Sequence, residues 1–209
     1  MIAIIDYKAG NLTSVARALS HIGYECVVTS DPEKIEKSER IVFPGVGAAG
    51  SAMNSLKEMK IDKIILNAFS QGKPILGICL GTQVIMGYSE ENDTDCVGII
   101  PGEVKAFPER MESEDNRFLK IPHMGWNSID IKTKHPVLTG LNRTDEFYFV
   151  HGYYPKPQNN DNIFASTEYG ITFASVMGMK NLIATQFHPE KSGRPGLTIL
   201  KNFCEWKPC

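Results

Sequence analysis

The chain has 209 residues, enough to bury a sizeable core in one α/β domain. Hydrophobic residues make up 42% and charged residues 22%, ordinary for a soluble globular protein, and a formal net charge of -2 leaves no electrostatic footprint for nucleic acid or an anionic membrane. The opening Met1–Asn11 lacks a charged leader with a long apolar run, and no stretch is long enough to span a bilayer, so a cytoplasmic location is expected.

Ile2–Ile5 is a short apolar run that reads as a strand, ending at Asp6 and a loop through Gly10–Asn11. Leu12, Val15, Ala16 and Leu19 recur at helical spacing, and Gly23 stops that helix. Tyr24–Val28 reads as a second strand, followed by a turn at Ser30-Asp31-Pro32; Arg40–Phe43 is a third, running into Pro44-Gly45-Val46-Gly47. Helical patterns cover Ala48–Met59 and Ile61–Phe69, and Pro74–Ile78 is a strand that stops abruptly at Cys79. Ser89–Asp95 and the charged stretch Glu109–Arg117 read as surface insertions. Six closely spaced β-like segments follow from about residue 97: Val97–Phe107, Ser128–Ile131, Glu146–Tyr154, Ile163–Glu168, Thr172–Met177 and Leu182–Gln186. They read as hairpins extending the sheet, and a helix at Gly196–Glu205 closes the chain. Alternating strands and amphipathic helices predict a flavodoxin-like, doubly wound, mostly parallel sheet with helices on both faces, extended by antiparallel strands. In such a sheet the functional loops lie at the carboxyl ends of the strands, where both Gly45–Gly47 and Cys79 fall.

The cysteines are Cys26, Cys79, Cys96, Cys204 and Cys209. No two have zinc-ribbon spacing, and an odd number in a leaderless chain argues against a disulfide framework. Cys26, Cys96 and Cys204 read as small buried hydrophobes. Cys79 differs because Gly77-Ile78-Cys79-Leu80-Gly81 is a G-x-C-x-G turn between a buried strand and a helix, the nucleophile-elbow pattern with sulfur in place of oxygen. Here a β-carbon at either glycine would meet neighbouring backbone, and the helix start can stabilise a thiolate. A lone cysteine at a strand end would be structural; strand, paired glycines and helix together point to a nucleophile.

A thiol nucleophile needs a base. His21 and His135 read as surface residues, whereas His188 stands just past an apolar strand in Gln186-Phe187-His188-Pro189-Glu190. On an extended segment His-x-Glu places both side chains on one face, so Glu190 can orient the imidazole. Pro44-Gly45-Val46-Gly47 can aim a backbone N–H at a developing oxyanion beside that of Leu80, although a plain strand-to-helix turn would have the same composition.

Pro-Gly-Val-Gly, Gly-Ile-Cys-Leu-Gly-x-Gln and Gln-Phe-His-Pro-Glu, in this order, resemble the class I (triad) glutamine amidotransferases, with similarity over essentially the whole chain. The resemblance implies one domain over residues 1–209, with Cys79, His188 and Glu190 as the triad. It further implies that Gly45, Val46, Gly47, Leu80, Gln83 and His151 serve the oxyanion and glutamine, with no cofactor and no metal. Ile121–Asn127, Tyr148–His151, Ala9–Leu12 and Lys191-Ser192-Gly193 are similar to the glutaminase subunits of imidazole glycerol phosphate synthases. Thr82 departs from the chorismate-using members, which usually carry His there. Gly152 stands where some relatives have Ser, which removes a side-chain role. This narrower resemblance implies a heterodimer with a (β/α)₈ cyclase subunit, with Asn11, Arg17, Trp126, Tyr148 and Lys191 at or near the shared face. From the residues alone, Trp126 reads as a core aromatic and Tyr148 and Tyr153 as ordinary strand residues. The same chemistry would also suit a paralogue feeding surface-sugar biosynthesis, or a free-standing cysteine hydrolase of γ-glutamyl compounds.

Overall fold

The structure, a computed structural model, describes residues 1–8, 10–112 and 118–208. Ala9, the 113–117 part of the charged stretch and Cys209 lie outside the described residues. In chain order the elements are β1 (Ile2–Ile5), α1 (Leu12–His21), β2 (Cys26–Thr29), α2 (Pro32–Lys37), β3 (Arg40–Gly45), α3 (Ala49–Glu58), α4 (Ile61–Ser70), β4 (Ile75–Cys79) and α5 (Leu80–Val84). There follow β5 (Met86–Ser89), β6 (Thr94–Asp95), β7 (Ile100–Ala106), β8 (His123–Ser128), β9 (Asp130–Ile131), β10 (Glu146–His151) and β11 (Tyr153–Pro157). The chain ends with β12 (Ile163–Glu168), β13 (Thr172–Met179), β14 (Leu182–Thr185) and α6 (Gly193–Glu205).

The main sheet has the order β2-β1-β3-β4-β14-β13-β12-β9. Its first five strands pair in parallel, and the last four form an antiparallel extension that shares β14. Because a parallel strand is buried on both faces, it is apolar throughout, and β1 shows why. Ile2 and Ile4 face the cluster that holds α1 and α6, whereas Ala3 and Ile5 face the one that holds α2, α3 and α4. That two-sided cover is the doubly wound arrangement.

The sequence pattern predicts that the late strands extend this sheet, and only some of them do. β10 and β8 form a separate two-stranded ribbon, and β11-β7-β5-β6 a separate four-stranded sheet. Part of the Ser89–Asp95 insertion is therefore strand, with Ser89 of β5 opposite Thr94 of β6. The predicted turn at Asp31-Pro32 begins α2: the Asp31 carboxylate accepts from Glu33 N–H at 3.0 Å, and Pro32 fits the first helical turn. His135 is half-buried rather than a surface residue. It packs on Phe164 and Trp206, and its Nδ1 accepts from Val137 N–H at 3.2 Å.

β3 and β4 pair so that Gly45 lies opposite Cys79, which sets the glycine loop beside the elbow. A β-carbon on Gly81 would stand 1.8 Å from the Phe43 carbonyl oxygen, so α5 can approach β3 only with glycine there. Gly81→Ala is expected to destabilise the chain by about 3 kcal/mol, because the obstacle is backbone and cannot swing aside. Urea unfolding of the two proteins measures this; equal midpoints would show that the approach is not a constraint.

Candidate active site

Cys79 is the last residue of β4, with φ 53° and ψ -107°, a conformation that L-residues rarely adopt. Such a backbone costs on the order of 1–3 kcal/mol and persists only where the surroundings force it. Cys79 lines a cleft of about 420 Å³ together with Val46, Gly47, Leu80, Gln83 and His151. Its sulfur lies 3.8 Å from Gln186 Nε2 and 4.0 Å from the Val150 carbonyl oxygen. A cleft of about 450 Å³ at Ile131–Thr139 offers neither a nucleophile nor an acid–base pair.

His188 is fully buried, and its Nδ1 contacts Glu190 Oε1 at 2.7 Å. Pro189–Lys191 form a 3₁₀ turn, not the extended segment that the His-x-Glu spacing predicts. The turn, with Pro189 as its first residue, folds the carboxylate back onto the ring. Burial opposes charge on this ring, but Cys79 and Glu190 beside it outweigh that and hold its pKa up at about 9. Among the described residues five buried side-chain polar atoms lack a hydrogen-bond partner, and three of them, Tyr7 Oη, His188 Nε2 and Glu190 Oε2, are in this region. Buried polar atoms are seldom left unpaired, so a concentration of them marks a place built for something other than stability.

Asn11, expected at a partner face, is on the Glu190 carboxylate: its Nδ2 donates to Oε1, and the same nitrogen is 3.4 Å from His188 Nδ1. Arg17 is exposed and, with Ser14 and His21, lines a cleft on the far side of Glu190. Trp126 is 55% exposed, which corrects its reading as a core aromatic. It stands edge-on to Tyr148 at 5.9 Å, and Lys191 Nζ lies over the Tyr148 ring. With Met124, which is 61% exposed, they make an outer face on the β10–β8 ribbon.

Gln83 is buried, and its Nε2 donates to Tyr153 O at 2.9 Å and Gln186 Oε1 at 3.0 Å, so its amino group holds the wall of the cleft. His151 has a comparable place. Its Nδ1 must donate to the Tyr153 carbonyl at 2.8 Å, which leaves Nε2 to accept from His123 Nδ1 at 3.0 Å. His123 Nε2 can then accept from Asn127, and both rings are neutral. Burial depresses both pKa values, to about 3 for His151 and about 4 for His123.

Two residues of the site escape the sequence reading. Gln186 opens the Gln-Phe-His-Pro-Glu motif without any role falling to it there, yet from just past β14 its amide reaches Cys79 Sγ. Glu91 falls in the predicted insertion, yet its carboxylate lines the cleft and accepts from Ala49 N–H at 2.7 Å. Burial raises its pKa, and that hydrogen bond partly offsets the rise.

A family model described as glutamine amidotransferase class-I matches residues 3–206, and the chain belongs to that family. Among curated relatives, the imidazole glycerol phosphate synthase subunit HisH of Nitratidesulfovibrio vulgaris (strain DSM 19637 / Miyazaki F) is 51% identical over 97% of this chain and 95% of its own length. The subunit of the same name from Acinetobacter baylyi is 45% identical over 98% of each. A solved structure titled glutamine amidotransferase superposes with TM-score 0.74 at 16% identity, covering 98% of this chain and all of that one, which bears on the fold alone.

The neutral histidine pair has a consequence in acid. In the unfolded chain both rings protonate near 6.5, well above their folded values, so unfolding takes up protons as pH falls. Their contribution is complete above about 6.5 and is lost between there and about 4 for His123 and about 3 for His151. Stability should fall by roughly 2–3 kcal/mol per pH unit between pH 6 and 5. Denaturant titrations across this range check it, and a flat profile would mean that the rings are charged in the folded protein.

Proposed function

We infer that this chain is the glutaminase subunit of imidazole glycerol phosphate synthase, hydrolysing L-glutamine to glutamate and ammonia for histidine biosynthesis. About half of its residues are identical to the HisH subunit of Nitratidesulfovibrio vulgaris over nearly the full length of both. Its partner is the synthase's cyclase subunit, which consumes the ammonia. We further propose a cytoplasmic heterodimer in which the cyclase is a (β/α)₈ barrel meeting the face around Trp126, Tyr148 and Lys191. Two large exposed apolar residues, Met124 and Trp126, support that placement, since such patches mark interfaces.

The chemistry follows from the groups around Cys79, and the observation that carries it is the buried His188–Glu190 pair beside a strained, cleft-lining cysteine. In this proposal His188 takes the thiol proton and Cys79 Sγ attacks the side-chain amide carbon of glutamine. The carbonyl oxygen becomes an oxyanion, met by the N–H groups of Leu80 and the Gly45-Val46-Gly47 loop. His188 then gives its proton to the departing nitrogen, ammonia leaves, and a γ-glutamyl thioester remains. Water, deprotonated by His188, attacks the thioester, and collapse of that adduct returns the sulfur and releases glutamate. Glu190 fixes the ring with Nδ1 protonated and balances its charge; Asn11 steadies the carboxylate. Among the described residues Glu91 is the sole carboxylate lining the cleft, which assigns it the α-ammonium of glutamine. No helix among the described residues is long and apolar enough to cross a membrane.

Cys79→Ala in the complex should lower glutamine-dependent synthesis by at least about a thousandfold, while synthesis from added ammonium salt persists. Retained glutamate release by this variant would remove the nucleophile assignment.

Glu91→Gln should raise KM for glutamine about tenfold or more, the worth of a charge-assisted contact, with kcat changed little. An unchanged KM would mean that the ammonium is bound elsewhere.

A further inference from the structure

The third unpartnered atom of the site is one for which the reaction has no use so far. Tyr7 follows β1 and is fully buried, its ring tilted against Phe43 with centroids 5.2 Å apart. Its hydroxyl finds no hydrogen-bond partner among the described residues. Packing alone does not explain it: phenylalanine would fill the same space without burying an unpaired hydroxyl, which costs free energy. The hydroxyl is held against one particular residue. A β-carbon on Gly45 would stand 1.9 Å from Tyr7 Oη, so the oxygen occupies the space that the missing side chain leaves.

Gly45 opens the loop assigned to the oxyanion. Val46 and Gly47 line the cleft with Cys79 and Leu80, whereas Tyr7 packs in the cluster behind them with Phe43, Leu80 and Val84. Within one planar peptide unit the N–H and the C=O point in opposite directions. Whenever the Val46 N–H points into the cleft, the Gly45 carbonyl must therefore point away from it, towards the space behind. In this structure that carbonyl does not accept a hydrogen bond from Tyr7. Rotation of the unit changes ψ of Gly45 and φ of Val46, and on the Gly45 side no β-carbon obstructs it.

We propose that Tyr7 is a positioning residue for glutamine hydrolysis: its hydroxyl donates to the Gly45 carbonyl when the Val46 N–H is turned towards the oxyanion, and so stabilises the reactive form of the loop. Burial, with Cys79 as a second cause, keeps the phenol above its ordinary pKa, so it remains a hydrogen-bond donor at any working pH. A donor satisfied only in the reactive form shifts the balance between the loop's two arrangements, and the shift is limited to the worth of that one hydrogen bond. The inference rests on the glutaminase reading and adds a residue to it.

The test is Tyr7→Phe, assayed as glutamate release by the complex with its cyclase, beside the unmodified complex. The expected result is a kcat lowered at least twofold and up to about tenfold, with KM within twofold and ammonium-dependent synthesis unchanged. Because the hydroxyl is unpaired in the resting chain, the urea midpoint of the free subunit should be equal or higher. A kcat within twofold of the parent, a loss carried by KM, or a lowered midpoint would each overturn the proposal. A parent complex that released no glutamate would overturn the glutaminase reading along with it.

Discussion

The approach of α5 to β3 sets the geometry on which the rest of the site depends. β4 must end, turn and start a helix within the width of one parallel strand pair, and the Phe43 carbonyl stands where a side chain on Gly81 would be. The turn that fits forces Cys79 to positive φ, lifting its sulfur out of the sheet and into the cleft. The strain is borne by a parallel sheet buried on both faces, whose strands cannot relax individually. Register does the remainder: β3 sets Gly45 against Cys79 on one side, and β14 pairs with β4 on the other, leading directly into Gln186 and His188. Three separate stretches of chain are thereby brought to one end of the sheet.

Two groups of histidines in this small region show how environment divides one residue type into opposite uses. Desolvation acts on all three rings in the same direction, against charge. His123 and His151 hydrogen-bond only to neutral groups, so desolvation wins, and at His151 the neighbouring His188 adds to it. His188 faces a carboxylate and a cysteine sulfur, and these outweigh it. The neutral pair contributes structure, fixing the Tyr153 carbonyl that Gln83 also grips. The third ring can exchange a proton. His151, which the family resemblance places near glutamine, thus acts on the cleft through its wall.

The parallel strands and their helices were legible because burial on both faces leaves an unbroken apolar run, and few other structures do. The cleft cysteine and the histidine paired with Glu190 were legible because each sits in a short motif whose glycines or proline have a steric reason. What failed did so where the deciding partner is remote in sequence. Asp31-Pro32 is as good a turn as a helix start, and α2 is settled by Ile35 packing under the sheet. His135 looks solvated until Phe164 and Trp206 are folded over it. Glu91 sits in a polar loop with the composition of any surface insertion, and only the pairing of β5 with β6 and β7 carries it to the cleft. Asn11 belongs to the amino-terminal loop, 179 positions from the carboxylate it holds.

Glu91 has two clients. Its carboxylate binds the first N–H of α3, the helix that begins two residues beyond the glycine loop, and it lines the cleft that would receive an amino acid. On the assignment of the ammonium to Glu91, filling the cleft and anchoring the start of α3 draw on one side chain. Their free energies are therefore linked, and the linkage runs equally both ways. A substrate that fixes Glu91 also tethers the segment leading out of the oxyanion loop, and a loop that drifts from its helix loosens the grip on the substrate. On that assignment the enzyme would have a sense of occupancy without a lid: the group proposed to recognise the amino acid would also report its arrival to the backbone proposed to meet the developing charge.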